Sequence, residues 1–264
     1  AVSLQENLTV RNLLTVTDGL FKTPGTTLTL SGAEAHSVAL AGEFFVEPTG
    51  SNNAGLVFSP GASLSVTGSF KLKRASGSTA SSIVSATSSG SGFGITIASS
   101  GIFDANYFDI TGLSSSGIIF ENGATIECLH NGTIKRESTS GVCLDFSGIT
   151  NSTTNRSRIP YAFNNIRFSN AAGEGTNVQS GMSSPAITFL GASGSLAGEE
   201  YDEDPRESAT SAENLGGIIW RNDEIEVVET GKTFHTPELA LADSDTLSGH
   251  SLRPRAALIL DQEL

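Results

Sequence analysis

Two dibasic pairs, Lys73-Arg74 and Lys135-Arg136, stand at matching points of a chain that is otherwise acidic. Paired lysine and arginine suit an anionic partner, through charge and through the forked donors of arginine. They are read here as contacts for an anionic glycan or for the acidic part of a neighbouring copy, beside the plainer reading of solvated surface charge. The acidic run Glu199, Glu200, Asp202, Glu203 and Asp204 offers carboxylate oxygens of the kind that hold calcium. Glu199, Glu200, Asp202 and Asp204 are the candidate ligands, although no EF-hand or nonapeptide pattern frames them and a solvated acidic loop has the same composition. The histidines His36, His130, His235 and His250 show no metal spacing, and no Gly-x-Ser-x-Gly elbow exists. No catalytic constellation is expected. Sequons stand at Asn7, Asn131, Asn151 and Asn155.

The elements that must position these residues are strands. The chain has 264 residues, 38% apolar and 16% charged, with 29 glycines and much Ser and Thr. Low charge with abundant turn residues suits many short strands better than amphipathic helices. No apolar run approaches the ~18 residues needed to span a bilayer. The net charge of −13 argues against nucleic acid, which needs clustered Lys and Arg. More than half of the acid lies after residue 198. The chain begins at Ala1 without an initiator methionine, and its one methionine is Met182. A mature chain whose leader has been removed is expected, or else a domain cut from a longer protein.

An internal repeat organises the first half. One long shift aligns Glu43–Arg74 with Ala105–Arg136 without a gap, matching Gly55/Gly117, Phe58/Phe120, Gly61/Gly123, Lys73/Lys135 and Arg74/Arg136. A shorter shift aligns PGTTLTLSG (24–32) with PGASLSVTG (60–68). Each segment alternates apolar and polar residues, as a strand with one buried face must. The turn glycines Gly25, Gly42, Gly61, Gly101 and Gly123 suggest units of about 20 residues stacked along an axis. A second series, ending in Phe58, Phe120, Phe146, Phe189 and Trp220, predicts an aromatic ladder inside the stack, with aliphatics such as Leu40 and Ile97 replacing it in other strands. If the longer shift spans three units, the dibasic pairs lie on one face about 14 Å apart, at ~4.8 Å per unit. Cys128 then falls on the apolar face and Cys143, between Val142 and Leu144, turns outward, so two free thiols are expected.

Over residues 15–222 the motifs GTTLTLSG, GASLSVTG and GIIFENGATIEC resemble the parallel β-helix superfamily, which includes pectin-lyase-like proteins and autotransporter passenger domains. The resemblance implies an all-β, right-handed parallel β-helix, with coils of the length that the turn glycines suggest. It also implies an extracellular or cell-surface location and a link to glycans or adhesion. Residues 1–222 would form the helix, with long loops at 148–162, 171–184 and 192–216, and residues 223–264 a β-rich cap or extension. Polygalacturonase-like members carry an Asp pair and an Arg-x-Lys element that this chain lacks, although Asp145 and His250 are present. Pectate-lyase-like members need a calcium-binding acid set and a basic residue, for which only Asp109, Asp145, Lys135 and Arg136 are available. A Thr/Ser array (Thr27/Thr29, Ser63/Ser65, Thr125/Glu127) is similar to ice-binding solenoids but breaks at its third row.

The leading expectation is therefore a non-catalytic extracellular structural or adhesive protein that assembles head to tail with copies of itself. Neither LTVRNLLTVT (8–17) nor Ala256–Leu260 reads as a polar cap. The alternatives are a carbohydrate-active enzyme, a polysaccharide lyase or hydrolase, and a trimeric tailspike-like protein.

Overall fold

The computed structural model describes residues 1–87, 92–149, 158–160, 162–170, 174–182, 187–198, 201–203, 217–221, 225–230, 233–234, 241 and 247–254. Among them the chain is all-β. Seventeen strands join one sheet: β1 (Val2–Ser3), β2 (Leu8–Val10), β3 (Thr15–Lys22), β4 (Thr27–Leu30), β5 (Ala35–Val46), β6 (Ala54–Phe58), β7 (Ser63–Val66), β8 (Ser69–Lys73), β9 (Ser82–Ala86), β10 (Phe93–Ile97), β11 (Ile102–Phe120), β12 (Thr125–Arg136), β13 (Val142–Phe146), β14 (Ala162–Ser169), β15 (Thr176–Ser180), β16 (Ile187–Leu190) and β17 (Ile218–Arg221). All of its strand pairs are parallel. A separate antiparallel sheet holds β18 (Ile225–Val227), β19 (Thr233–Phe234) and β20 (Leu252–Pro254).

The pairings fall into three ladders. Ladder A joins β1, residues 18–22 of β3, residues 43–46 of β5, β8, the first parts of β11, β12 and β14, then β16 and β17. Ladder B joins β2, β4, β6, β9, residues 108–111 of β11 and the last parts of β12 and β14. Ladder C joins the first residues of β3 and β5, then β7, β10, the end of β11, β13 and β15. The chain visits them in the fixed order A, B, C, and β11 passes through all three in one continuous strand.

Alternation along most of these strands sends every second side chain into one shared core. Ladder A contributes Phe44, Phe70 and Phe103 in register, ladder B contributes Leu28, Leu56, Val84, Ile110 and Ile134, and ladder C contributes Val38, Val66, Ile97 and Phe120. Each fully buried phenylalanine contributes about 1.5–3 kcal/mol relative to exposure. Ring contacts run on from Phe21 through Phe44, Phe70, Phe103, Phe120, Phe146, Phe163 and Phe189 to Trp220, with centroids 4.7–6.3 Å apart.

Several sequence expectations need correction here. Leu8 and Leu28 are successive occupants of one ladder, and so are Ile134 and Phe168. The second interval is far longer than the first, so the repeating unit has no uniform length. The expected aromatic series is buried or half-buried, but it is not one column. Phe58 lies in ladder B, Phe120 and Phe146 in C, and Phe189 and Trp220 in A. The reason is that the repeated motif is a corner. Phe21–Thr27 turns from A to B, Phe58–Ser63 from B to C, and Phe120–Thr125 from C to A. The longer shift therefore moves a motif to a different ladder, and the Thr/Ser rows lie on three ladders. Gly61 adopts a φ of 81° at its corner. Gly101 is needed instead for close approach, since a Cβ there would lie 2.2 Å from the Val66 carbonyl oxygen.

Leu40, expected inside, is 71% exposed because β5 bulges between its C and A portions. β15 occupies part of the expected 171–184 loop, and two bridges, Arg167 to Ser193 and Gln179 to Glu203, carry ladders B and C into the expected 192–216 loop.

Candidate functional site

The four basic candidates do not share a face. Lys73 ends β8 on ladder A, in register with Asn106, whereas Lys135 is on ladder B between Thr111 and Ser169. Arg136 faces Leu113 and is completely buried, so it is not offered to any partner in solution. Its Nη2 donates to the Glu174 carbonyl oxygen at 3.0 Å, while Nε and Nη1 have no oxygen or nitrogen acceptor and the Cys143 thiol is the polar side chain beside the guanidinium.

Of the four acidic candidates only Asp202 lies among the described residues. Asp202 is buried and its Oδ2 accepts a hydrogen bond from Trp220 Nε1 at 2.9 Å. Glu199, Glu200 and Asp204 lie outside the described residues. Among the described residues no cluster of three His, Cys, Asp or Glu side chains could hold a metal. His235 also lies outside them, and so does the 256–260 stretch.

Both cysteines are free thiols. Their orientations differ from the expectation. A bulge at Glu127 pairs Cys128 with Asp104 and gives the buried position to Leu129. Alternation fails at the start of β13, where Val142, Cys143 and Leu144 are all buried. Burial and the nearby Asp104 carboxylate push the Cys128 thiol up to about 11, against a smaller opposing pull from Lys73. Burial also raises Cys143, despite the opposing Arg136 guanidinium.

Two grooves lie on the surface. The first, of about 530 Å³, runs over ladder C and is lined by Ser115, Asp145, Glu174, Thr176, Gln179 and Glu203. Asp145, Gln179 and Glu203 follow one another in register there. Asp145 Oδ1 accepts the Ser147 amide at 2.8 Å.

The second groove, of about 480 Å³, lies where ladder A turns into ladder B and holds Lys73, Arg74, Ser76, Thr79, Asn106 and Tyr107. Its geometry is built by the register. Asn106, His130 and Asn164 stack on ladder A, so the residues that follow them, Tyr107, Asn131 and Asn165, occupy equivalent corner positions. All three have left-handed backbones, with φ of 60°, 52° and 55°. Asparagine takes this conformation readily, whereas a tyrosine there costs about 1–2 kcal/mol. The asparagines also bond across layers: Asn165 Nδ2 donates to Asn131 Oδ1 at 2.8 Å, and Asn131 Nδ2 donates to Asn106 Oδ1 at 3.1 Å. These bonds engage the very nitrogen of Asn131 that its sequon would glycosylate.

Tyr107 ends that asparagine stack. Its ring lies beneath Arg74, with the guanidinium carbon 3.2 Å from the centroid. Lys73 Nζ is 2.7 Å from buried Asp104 Oδ2. Burial works against the Lys73 charge, but the Asp104 carboxylate outweighs it and the net shift is upward. The loop wall is pinned, because Ala75 N donates to Pro48 O and both Thr79 N and Ser78 Oγ donate to Gly50 O.

No family model, curated protein or solved structure matches this chain. The many-stranded parallel sheet is compatible with the superfamily resemblance. Sequence reasoning singled out Lys73 and Arg74 but missed Tyr107, whose only signal was a tyrosine in the register slot that asparagine fills in the next two layers. Among the described residues no helix is long and apolar enough to cross a membrane.

Proposed function

We propose that this chain is a right-handed parallel β-helix that serves as a non-catalytic extracellular structural or adhesive scaffold and docks end to end with copies of itself. The recurrence of ladders A, B and C in one order supports the helix, and parallel crossover connections are right-handed in nearly all proteins. The observation that carries the docking reading is the first layer. Val2, Leu8 and Leu13 are 57%, 42% and 56% exposed, while Leu4, Val10 and Leu14 beside them pack against the core. β1 and β2 each pair along one edge only among the described residues. An open edge with apolar side chains favours a strand of matching spacing, and contact between unlike ends propagates unless its rotation closes a ring. Sedimentation velocity over a wide concentration range, with negative-stain microscopy, tests this. The native chain should associate with increasing concentration, and L8D with L13D should keep it monomeric. A native chain that remains a monodisperse monomer at high concentration overturns the reading.

A second reading, a polysaccharide hydrolase or lyase, is favoured by the ladder C groove. Asp145 and Glu203 stand two register steps apart there, roughly 9.6 Å along the backbone at ~4.8 Å per step, close to the carboxyl spacing of inverting glycosidases. Turnover of a polysaccharide by the native chain, abolished by D145N, would establish it.

A further inference from the structure

We infer that the groove around Arg74 and Tyr107 is a binding subsite for a saccharide carrying an oxyanion, a carboxylate or a sulfate. Three observations lead there. First, Tyr107 occupies a left-handed corner position whose counterparts in the next two layers are Asn131 and Asn165. Asparagine would suit this backbone better and would continue the amide stack, so the fold itself does not call for tyrosine. An outlier of this kind points to a role outside folding. Second, the ring is seated under Arg74, which fixes the guanidinium at the groove in a defined orientation. A guanidinium held this way presents paired donors that match a carboxylate or sulfate. Third, the groove is prepared before any ligand arrives, because the backbone of its loop is bonded to Pro48 and Gly50 of the preceding layer.

The charge pattern favours a saccharide over an acidic peptide. Lys73 is already neutralised by Asp104, and no salt bridge among the described residues engages Arg74. One available cation among the hydroxyls and amide of Ser76, Thr79 and Asn106 suits a single anionic group on a hydroxyl-rich ring. A run of carboxylates would need several cations.

The test is calorimetric titration of the full chain with four probes: an alginate tetrasaccharide, a sulfated heparan oligosaccharide, neutral cellotetraose and a glutamate-rich peptide. Binding of either anionic saccharide is expected, with cellotetraose and the peptide at least ten-fold weaker. The two anionic arms distinguish carboxylate from sulfate. R74Q should lose at least ten-fold in affinity without a change in melting temperature. Y107N should lose binding while melting at or above the native temperature, which a purely structural tyrosine would not do. Y107F, which keeps the ring, should retain most of the affinity, as should K135Q, which lies on another ladder. No binding of either anionic saccharide, equal binding of cellotetraose, preference for the peptide, or native affinity in R74Q or Y107N would each overturn the assignment. None of these outcomes depends on whether the chain self-associates.

Discussion

Replacing Arg136 with methionine should stabilise this protein. The guanidinium is fully buried opposite Leu113. Its hydrogen bond from Nη2 to the Glu174 carbonyl returns about 1.5–3 kcal/mol as a bond from a charged donor. Nε and Nη1 have no oxygen or nitrogen acceptor, at up to about 1–3 kcal/mol each, with only the weakly accepting Cys143 sulfur beside the guanidinium. The charge is desolvated, and no salt bridge among the described residues engages it. Methionine removes all of these terms and keeps most of the volume. The Glu174 carbonyl is not orphaned by the change, because Asn170 Nδ2 also donates to it. The expected gain is about 1–4 kcal/mol, the range seen when buried ionic groups give way to apolar ones. At about 2–4 °C per kcal/mol for a chain of this size, a melting scan should show a clear upward shift, and urea unfolding should show a higher midpoint at unchanged slope. A fall in both the melting temperature and the urea midpoint would refute the reasoning. It would mean that the guanidinium is compensated inside the core.

Three further outcomes are expected. Gly132→Ala should destabilise by about 1–3 kcal/mol by overpacking, because its Cβ would stand 2.3 Å from Phe108 Cε1, as chemical denaturation can measure. Stability should fall on acidification from about pH 6.5, because burial lowers the pKa of His36 and His130 against smaller opposing effects from Glu34, and from Leu129 and Asp104. The unfolded chain then binds more protons than the folded one below that pH, at up to about 1.4 kcal/mol per pH unit for each histidine, a ceiling that solvent screening reduces at the half-buried His130; imidazole NMR titration should place both below the ordinary value, and unshifted titrations would rule the effect out. Iodoacetamide at pH 8 should modify Cys128 and Cys143 slowly in the native protein and both rapidly in urea; rapid native labelling of Cys143 would contradict its burial.

Strand character was legible because it depends on local alternation. SLSV and TLTL declare one buried face without reference to anything distant. Which ladder a strand joins was not legible, since that depends on the number of residues spent at each corner, and those corners share one motif. Phe58-Ser-Pro-Gly61 and Phe120-Glu-Asn-Gly123 have the same glycine for the same backbone reason, so the sequence alignment is correct as chemistry and wrong as a vertical register. A single inserted residue changes the outcome again. The bulge at Glu127 exchanges Cys128 for Leu129, and nothing in TIECLH marks it. TNVQS was missed as β15 because Val178 is its only large apolar residue and its other buried positions are Asn177 and Ser180.

The same dependence governs the candidate site. Lys73 and Arg74 were visible as a charged pair, but their chemistry comes from distant residues that register brings alongside: Asp104 neutralises the lysine and Tyr107 orients the arginine. The second pair, identical in sequence, arrives at a different place. Lys135 stays on the outer side of ladder B, and Arg136, the next residue, is turned inward opposite Leu113 after a register shift between Thr111 and Leu113. Identical dipeptides thus yield an oriented surface cation in one layer and a buried, half-satisfied one in another. In a fold assembled by parallel stacking, the neighbour that decides a side chain's chemistry is one pass of the chain away. The length of that pass changes between layers, from the short step between Leu8 and Leu28 to the long one between Ile134 and Phe168. Motif spacing along the sequence therefore identifies residues able to act but not the face on which they act.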